Sequence, residues 1–511
     1  MAKEFIVVLD FGGQYSHLIT RRIRECQVYS ELLPYSVSAD EVSKLDPKGI
    51  VLSGGPASVY DEHSPSCDPR IFTLGAPILG ICYGLQLMVQ VLGGKVKATN
   101  RREFGKTELR VADTSDLLRN LNSSTNVWMS HGDCAEVLPP GFEVLASSDS
   151  CKMAAIRKSC DKLYGVQFHP EVAHTVQGMD VIRNFVINIC GCTPSWTPRS
   201  IIDTSIENIS AKVGSGAVLV AVSGGIDSTT VAALVRRAVQ DRLKCIFVNH
   251  GLLRKNEEDL VMKALKELEL NVRYVDATDR FLKRLEGVID PEMKRRIIGE
   301  EFINVFGEES TKLGSFEFLA QGTLYPDVIE SGGTGGVASR IKTHHNVGGI
   351  PQWSKFEIIE PLKFLYKDEV RKIASELGIS ESIVRAHPFP GPGLAVRIIG
   401  EVTREKLRIC REASYIVEET LKHHKLYGAV WQAFAVVGED KAVGVLGDER
   451  KLGHMVTVRV VTSFDGMTAD WAKLPDHVLE EMSTRITDEV RGVTWVSYSV
   501  TSKPPSTIEP C

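Results

Sequence analysis

The sequence of 511 residues lacks several features that would each indicate a class of protein. No run of about 18 apolar residues occurs, so no segment is predicted to span a membrane. No long basic run occurs and the formal net charge is −5, which argues against a nucleic-acid binder held by phosphate attraction. The first residues lead into a strand pattern without the layout of a signal peptide. We therefore expect a cytoplasmic protein with no membrane or nucleic-acid partner.

Paired cysteines are also missing. The eleven cysteines are an odd number and are scattered along the chain. Cys190 and Cys192 stand too close together for the usual zinc spacing, and no matching Cys/His pair follows them. Most of the cysteines are therefore expected to be small buried hydrophobes in a reducing compartment. Cys82 is the exception.

Short apolar runs that end in glycine alternate with helical patterns, which predicts buried, mostly parallel sheets. The length predicts three or four domains, and the apolar content of 43% is ample for several cores. We predict an α/β protein with two doubly wound, mostly parallel-sheet domains followed by a small α+β domain. The predicted domains are residues 1–192, a linker at 193–200, residues 201–386 and residues 387–511.

Individual elements of the later domains can also be predicted. The apolar positions after Gly225 fall at helical spacing, as do those of about 403–424. The predicted strands are 217–222, 243–249, 271–276, 316–321, 431–437, 455–462 and 493–500.

The segment Gly80–Gly84 has the sequence Gly-Ile-Cys-Tyr-Gly between a strand and a helix. Small residues on both sides of Cys82 permit a sharp turn that presents the sulfur at the N-terminus of the helix. His169 is the candidate base, and Glu171 shares its face in an extended segment and can fix its tautomer. A free thiol is only a few per cent thiolate at neutral pH, and a nearby imidazole increases that share. The pattern predicts an activated thiol for acyl transfer.

Acyl transfer also needs donors for the developing oxyanion. The natural candidates are the backbone N–H of Tyr83 and one from the turn at residues 53–56, which contains Gly55.

These motifs resemble the class I glutamine amidotransferases over about residues 5–192. The resemblance implies a flavodoxin-like fold in which Cys82 attacks the side-chain amide of glutamine, ammonia leaves, and water then frees glutamate. His131 is a rival for the base, and we favour His169. The resemblance also implies a set of residues that hold glutamine: Gln86, Ser130, His131 and Gly132.

A second motif follows a strand of β-branched residues and reads Ser223, Gly224, Gly225, Ile226, Asp227, Ser228 and Thr229. Its backbone N–H groups can surround a phosphate at a helix N-terminus, and it is not a Walker A loop. Oxygens of Asp227 suit Mg²⁺. The motif resembles the loop of ATP pyrophosphatases with the adenine-nucleotide α-hydrolase-like fold, which adenylate an oxygen and make AMP a leaving group. The glycine-rich segment at about 331–351 is predicted to be a lid.

Ammonia from one site and an adenylated oxygen at the other predict an ATP-dependent amidation. The whole chain resembles the GMP synthase (glutamine-hydrolysing) family. The segments that carry this resemblance are 247–254, 321–327, 342–349, 387–394, 465–471 and 501–505.

The resemblance implies a ligase of guanine nucleotide biosynthesis that converts XMP, ATP and glutamine into GMP, AMP, pyrophosphate and glutamate through an adenyl-XMP intermediate. It implies that Lys342 reaches the ATP phosphates and that the C-terminal domain forms a homodimer. It also implies a set of XMP-binding residues: Arg295, Gln432, Lys503, Ile508 and Glu509.

Two departures from the family pattern stand out. Asn249 occupies a position where we expect Asp, so a carboxylate near ATP is missing. The tail carries Ser506 where the family has glycine, which loses the freedom of a positive φ. The tail also lacks the usual final Trp-Glu, which puts its anchoring in doubt.

Other functions stay open. One is a different glutamine-fed amidation, such as NAD or CTP synthesis, which the segments at 342–349 and 501–505 argue against. Another is a tRNA-modifying enzyme, which would need a basic face and a catalytic cysteine, whereas the second domain offers only Cys245 within a strand. A third is a regulatory binding protein, which an intact Cys-His-Glu triad disfavours.

Overall fold

The structure is a computed structural model, and it describes residues 4–328, 356–446, 449–463, 466 and 468–511. The chain divides into two compact units, the first ending at Ile201 and the second beginning at Ile202. Among the described helices, no segment combines the length and the apolar character that crossing a membrane requires.

The first unit is built on one mixed sheet with the strand order β2-β1-β3-β4-β9-β8-β7-β5-β6. Its strands are β1 (Phe5–Asp10), β2 (Tyr29–Pro34), β3 (Gly49–Leu52), β4 (Ile78–Ile81), β5 (Lys95–Val111), β6 (Ser124–Val137), β7 (Glu143–Ser147), β8 (Ala155–Lys158) and β9 (Leu163–Val166). Its helices are α1 (Ser16–Glu25), α2 (Ala39–Leu45), α3 (Tyr83–Val91) and α4 (Gly178–Arg183), the last followed by a π-helical turn at Asn184–Ile189.

The half of this sheet that runs from β2 to β9 is parallel, as predicted. Strands β1, β3, β4 and β9 are almost completely buried, which is typical of a parallel sheet covered on both faces. The other half, from β8 to β6, is antiparallel and was not predicted. In β6 the residues from Thr125 to His131 alternate between buried and more exposed positions, which is typical of a strand covered on one face.

The second unit contains a parallel sheet of order β12-β11-β10-β13-β14 and a C-terminal sheet in which β16 pairs with β15, β17 and β18. The strands are β10 (Val218–Ala221), β11 (Leu243–Asn249), β12 (Val272–Asp276), β13 (Phe318–Ala320), β14 (Glu357–Ile359), β15 (Gln432–Leu446), β16 (Glu449–Thr462), β17 (Asp470–Trp471) and β18 (Val493–Tyr498). The helices, starting with the one at the unit boundary, are α5 (Pro198–Val213), α6 (Ile226–Val239), α7 (Glu257–Glu267), α8 (Thr278–Arg284), α9 (Pro291–Leu313), α10 (Lys367–Glu376), α11 (Glu381–Val384), α12 (Arg404–His423) and α13 (Asp476–Glu489).

The predicted strands and the long amphipathic helix of this unit are present, and most of their bounds agree within two residues. β15 continues nine residues beyond its predicted end at 437, and β16 begins six residues before its predicted start at 455. One apolar core joins the two sheets, with Leu219 and Ile246 of the parallel sheet in the same cluster as Ala413 of α12 and Val458 of β16. The predicted boundary between residues 386 and 387 therefore lies within a single packed unit, and the division there stays a prediction.

The predicted linker is partly helical, because α5 begins at Pro198. A proline is well placed at the first helical position, where its missing N–H would have no helical partner. The preceding residues are fixed as well, since the backbone N–H groups of Ser195 and Trp196 donate to the carbonyl of Gln27 at 2.8 and 2.7 Å.

Candidate active sites

Cys82 occupies a strained turn between β4 and α3, with φ of 51° and ψ of −104°. Such a conformation is rare for a residue with a side chain and is typical of functional sites. The flanking glycines are required by space: a Cβ at Gly80 would lie 2.6 Å from the backbone of Gly84, and one at Gly84 would lie 2.4 Å from the carbonyl oxygen of Leu52. The backbone N–H of Cys82 donates to Val166 of β9 at 2.8 Å. The predicted elbow is therefore present.

His169 and Glu171 form a buried pair, with Nδ1 of the imidazole 2.7 Å from Oε1 of the carboxylate. The pKa of His169 lies well above its ordinary value. Burial alone would lower this pKa, but the charge of Glu171 and the hydrogen bonds with Cys82 and Glu171 raise it by a larger amount. The other carboxylate oxygen of Glu171 has no hydrogen-bond partner among the described residues. The geometry fits an imidazolium that is held beside the sulfur by a buried carboxylate.

A cavity of about 620 Å³ opens above Cys82. Its wall includes His169 and every residue expected to supply the oxyanion donors or to hold glutamine: Gly55, Tyr83, Gln86, Ser130, His131 and Gly132. The turn at 53–56 lies against the catalytic pair, since a Cβ on Gly54 would be 3.1 Å from Cε1 of His169.

The rival base His131 has a different partner, Glu103, which the sequence analysis missed. Nε2 of His131 lies 3.1 Å from Glu103, which faces it across the β5–β6 pairing. Glu103 also accepts hydrogen bonds from Ser148 at 2.8 Å and Ser150 at 2.5 Å. Burial lowers the pKa of His131, although Glu103 opposes the change. No motif marks Glu103, and only the unpredicted antiparallel pairing could have placed it beside His131.

The phosphate motif lies at the carboxyl end of the central strand β10 and at the N-terminus of α6, where ligands bind in sheets of this kind. Gly224 has a φ of 80°, and a Cβ there would lie 2.3 Å from Val261. The hydroxyl of Ser228 accepts from the backbone N–H of Ser223 at 3.1 Å, and that of Thr229 donates to the carbonyl of Gly225 at 2.9 Å. These contacts fix the loop, and the N–H groups in the first turn of α6 are available to bind an anion.

Lys367, the first residue of α10, was missed by the sequence analysis. Its Nζ lies 2.7 and 2.6 Å from the two carboxylate oxygens of Asp227. Gly322, after β13, approaches from another side, since a Cβ there would be 3.2 Å from Cβ of Asp227. No motif surrounds Lys367 in the sequence, so it carries no sequence signal. The predicted phosphate ligand Lys342 and the predicted lid at 331–351 lie outside the described residues.

The residues expected to bind XMP lie around the C-terminal tail. Nε2 of Gln432 donates to Oε1 of Glu509 at 2.5 Å and to the carbonyl of Pro388 at 2.9 Å. Arg295 of α9 donates to the carbonyl of Cys511 at 2.6 Å. Ile508 belongs to a small apolar cluster on the C-terminal sheet, and Nζ of Lys503 donates to the carbonyl of Gly466 at 2.9 Å. The structure thus brings Gln432 and Glu509 together. Lys503 and Ile508 lie in the tail itself, and Arg295 of α9 contacts its last residue.

Arg397 is a further charged residue at this place that the sequence analysis did not single out. Its side chain is 2% exposed and stacks on Phe434 and Phe389, with 4.2 and 5.0 Å between the guanidinium carbon and the ring centres. Its Nη2 lies 3.8 Å from Glu509. Nε and Nη1 have no hydrogen-bond partner among the described residues.

Both departures from the family pattern have a local explanation. Asn249 donates to Glu258 at 2.6 Å and accepts from the backbone N–H of Gly251 at 2.8 Å, so a carboxylate is still present beside this position. Ser506 is not among the described residues with positive φ. Arg459 anchors the tail by donating to Ser506 and to the carbonyl of Thr507, each at 3.1 Å.

Three family models match the chain in the same order as the sites. They are "Glutamine amidotransferase class-I" over residues 7–189, "NAD synthase" over 200–296 and "GMP synthase C terminal domain" over 419–510. Among solved structures, a glutamine amidotransferase from Thermotoga maritima covers 42% of this chain at 19% identity, with a TM-score of 0.27.

Curated relatives match over the full length. "GMP synthase [glutamine-hydrolyzing]" from Caldanaerobacter subterraneus subsp. tengcongensis is 56% identical over 508 residues, which are 99% of this chain and 99% of the relative. The protein of the same name from Synechococcus sp. is 54% identical and covers 99% of this chain and 96% of its own length. The chain belongs to the GMP synthase (glutamine-hydrolysing) family.

Membership of the GMP synthase family confirms the predicted family, fold class and enzyme class. ATP is a substrate of this family, and the phosphate motif at residues 223–229 lies within the segment that the NAD synthase model matches. The NAD-synthesis alternative has no support beyond that segment, because the reported full-length relatives are GMP synthases. The roles of the individual site residues stay predictions.

Proposed function

We propose that this GMP synthase family member makes GMP from XMP, ATP and glutamine, with ammonia formed in the first unit and used in the second. The observation that carries the proposal is the combination of two sites in one chain. A thiol on a strained turn faces a buried His–Glu pair, and a glycine-rich phosphate loop follows the central strand of a second sheet.

In the first step the sulfur of Cys82 attacks the amide carbon of glutamine. The backbone N–H groups of Tyr83 and Gly55 receive the oxyanion. His169 donates its proton to the departing ammonia, and Glu171 keeps the ring in the tautomer and orientation that this needs. Water then attacks the thioester and glutamate leaves. Gln86, Ser130, His131 and Gly132 hold the substrate in the cavity.

In the second step the xanthine O2 of XMP attacks the α-phosphorus of ATP and pyrophosphate leaves. Ammonia then attacks C2 of the adenyl-XMP intermediate and AMP departs. The loop of Ser223–Thr229 and Lys367 bind the pyrophosphate portion, and Lys342 adds a further cation. Gln432, Glu509 and the tail residues Lys503 and Ile508 bind XMP together with Arg295.

Mg²⁺ belongs to this proposal, with Asp227 as its protein ligand. A carboxylate that is 31% exposed at a phosphate loop is a suitable oxygen donor for Mg²⁺. Its partner is the ammonium group of Lys367, whose side chain is 41% exposed. When bound, Mg²⁺ would neutralise charge on the pyrophosphate leaving group.

We also propose a homodimer through the C-terminal sheet and a cytoplasmic location. Val443 and Val445 lie on one face of β15, with Leu452 of β16 opposite Val443, and all three are at least 60% exposed. Such a patch marks an interaction site.

All eleven cysteines are unpaired, which supports a reducing compartment. The dimer proposal has a direct test. Leu452→Asp should give monomers in analytical ultracentrifugation. The control variant Leu260→Asp, which alters an exposed leucine of α7, should remain a dimer.

Two variants test the division of labour. Cys82→Ala should abolish GMP formation from glutamine but retain formation from ammonium salts. Asp227→Asn should abolish formation from both nitrogen sources and retain glutaminase activity. Loss of ammonium-dependent synthesis in Cys82→Ala, with the far-UV spectrum unchanged, would contradict the proposal, as would normal synthesis in Asp227→Asn.

A further inference from the structure

Three imidazoles and one carboxylate meet on the surface of the second unit, and none of the four has a role in the reactions described above. His423 ends α12 and His424 follows it, while His477 and Glu481 lie one turn apart on α13. The ligand atoms of His423, His424 and Glu481 all lie within 4.8 Å of one another, and this is the only such group of three that the described residues contain.

The distances within this cluster are close to those of a metal centre. Nε2 of His424 lies 2.7 Å from one oxygen of Glu481, and Nδ1 of His423 lies 3.7 Å from the other. Zinc binds nitrogen and oxygen at about 2.0–2.2 Å, which places tetrahedral ligand atoms about 3.3 Å apart. The side chain of His423 is 73% exposed, so it can rotate by the small amount needed without disturbing the core.

His477 is the candidate for a fourth ligand. Its ring centre is 5.2 Å from that of His424 with the planes at 65°, and it is exposed. It precedes Glu481 by four residues, so both side chains project from the same face of α13. The four groups therefore come in pairs from two helices, and each pair is held on a regular backbone.

The charges around the cluster do not oppose a cation strongly. Arg485 follows Glu481 by one turn, but its guanidinium is already paired with Glu419 at 3.1 Å and Glu489 at 2.8 Å. Lys422 has a carboxylate 3.7 Å from its Nζ.

We propose that His423, His424, His477 and Glu481 form a zinc-class transition-metal site that ties the C-terminal end of α12 to α13. Imidazole nitrogens select Zn²⁺ and its neighbours over Mg²⁺ or Ca²⁺, which require oxygen ligands. None of the four ligands takes part in the Mg²⁺–ATP chemistry proposed above. Because the metal binds the folded arrangement, it stabilises the second unit.

The test is calorimetric titration of the full chain, without a histidine tag, with ZnCl₂. We expect one Zn²⁺ per chain at pH 7.5. His424→Ala and His477→Ala should each weaken binding by at least about tenfold, since losing a group that merely orients a ligand already costs about 10–100-fold. His63→Ala, which removes an exposed histidine of the first unit, should bind as the unaltered chain does.

Two further measurements separate this site from binding to cysteine. Co²⁺ bound at the site should show no thiolate charge-transfer bands, because the ligands are nitrogen and oxygen. Zn²⁺ should raise the melting temperature of the unaltered chain and of His63→Ala but not that of His477→Ala. The proposal is overturned if the unaltered chain takes up no stoichiometric Zn²⁺, if His424→Ala and His477→Ala bind like His63→Ala, or if Co²⁺ reports thiolate ligands.

Discussion

Replacing Glu171 by glutamine should disable the glutaminase site while preserving its shape. The carboxylate side chain is fully buried and lies 2.7 Å from Nδ1 of His169. Glutamine has nearly the same volume, but it carries no charge and can present an N–H to the ring. The variant therefore loses the charge that keeps His169 protonated and favours the wrong tautomer.

The size of the effect can be estimated from the distance. At 2.7 Å and an effective dielectric constant of about 20, Coulomb's law gives about 6 kcal/mol between the imidazolium and the carboxylate. Relief of the desolvation of the carboxylate offsets part of this. A net loss of about 4 kcal/mol corresponds to a decrease of about 10³-fold in glutamine-dependent turnover.

The assay compares GMP formation from glutamine and from ammonium salts in the same preparation. Glu171→Gln should reduce the first about 10³-fold and leave the second unchanged. The alkaline limb of the glutaminase pH profile should also move to lower pH, because the carboxylate charge raises the pKa of His169 and its removal lets that pKa fall. A decrease of less than tenfold, or an equal decrease with ammonium, would refute the reasoning.

Three other predictions follow from single contacts. Lys367→Ala should reduce ammonium-dependent synthesis about 10²–10³-fold by removing a cation from the phosphate site, while Lys363→Ala should not. Asn249→Asp should lower the free energy of unfolding in urea by about 1–3 kcal/mol, because it replaces the donor to Glu258 by a second carboxylate. Gln432→Ala should raise KM for XMP and leave KM for glutamine unchanged, since it frees Glu509 from its fixed position.

Each of these has an outcome that contradicts it. Equal activity of Lys367→Ala and Lys363→Ala would remove Lys367 from the phosphate site. An Asn249→Asp chain as stable as the unaltered one would mean that Glu258 is free to turn away. A change in KM for glutamine with Gln432→Ala would point to a general disturbance of the fold.

Local patterns were sufficient to predict the parallel halves of the fold. Apolar strands that end in glycine, such as the one before Gly54, follow directly from burial on both faces of a parallel sheet. The antiparallel extension from β5 to β8 was missed because its strands carry a mixed polar pattern, with Glu103 and Glu108 inside β5. Register between such strands depends on contacts that no short motif encodes.

The same distinction applies to the sites. Cys82, His169 and the loop at 223–229 could be recognised because a turn, an i to i+2 relation or a helix start fixes their geometry locally. Glu103 and Lys367 could not, since each meets its partner only through the sheet topology. Lys367 lies 140 residues from Asp227 in the sequence. The long-range members of a site become visible only when the strands are in place.

The most direct test of the account follows the nitrogen atom. The chain should be given glutamine labelled with ¹⁵N at the side-chain amide, together with XMP and ATP, and the purine product analysed by mass spectrometry. The account predicts that the label appears in the exocyclic amino group of GMP, and that Cys82→Ala supplied with unlabelled ammonium makes only unlabelled GMP. GMP that carries no label from glutamine would contradict the central claim that the two sites work in sequence.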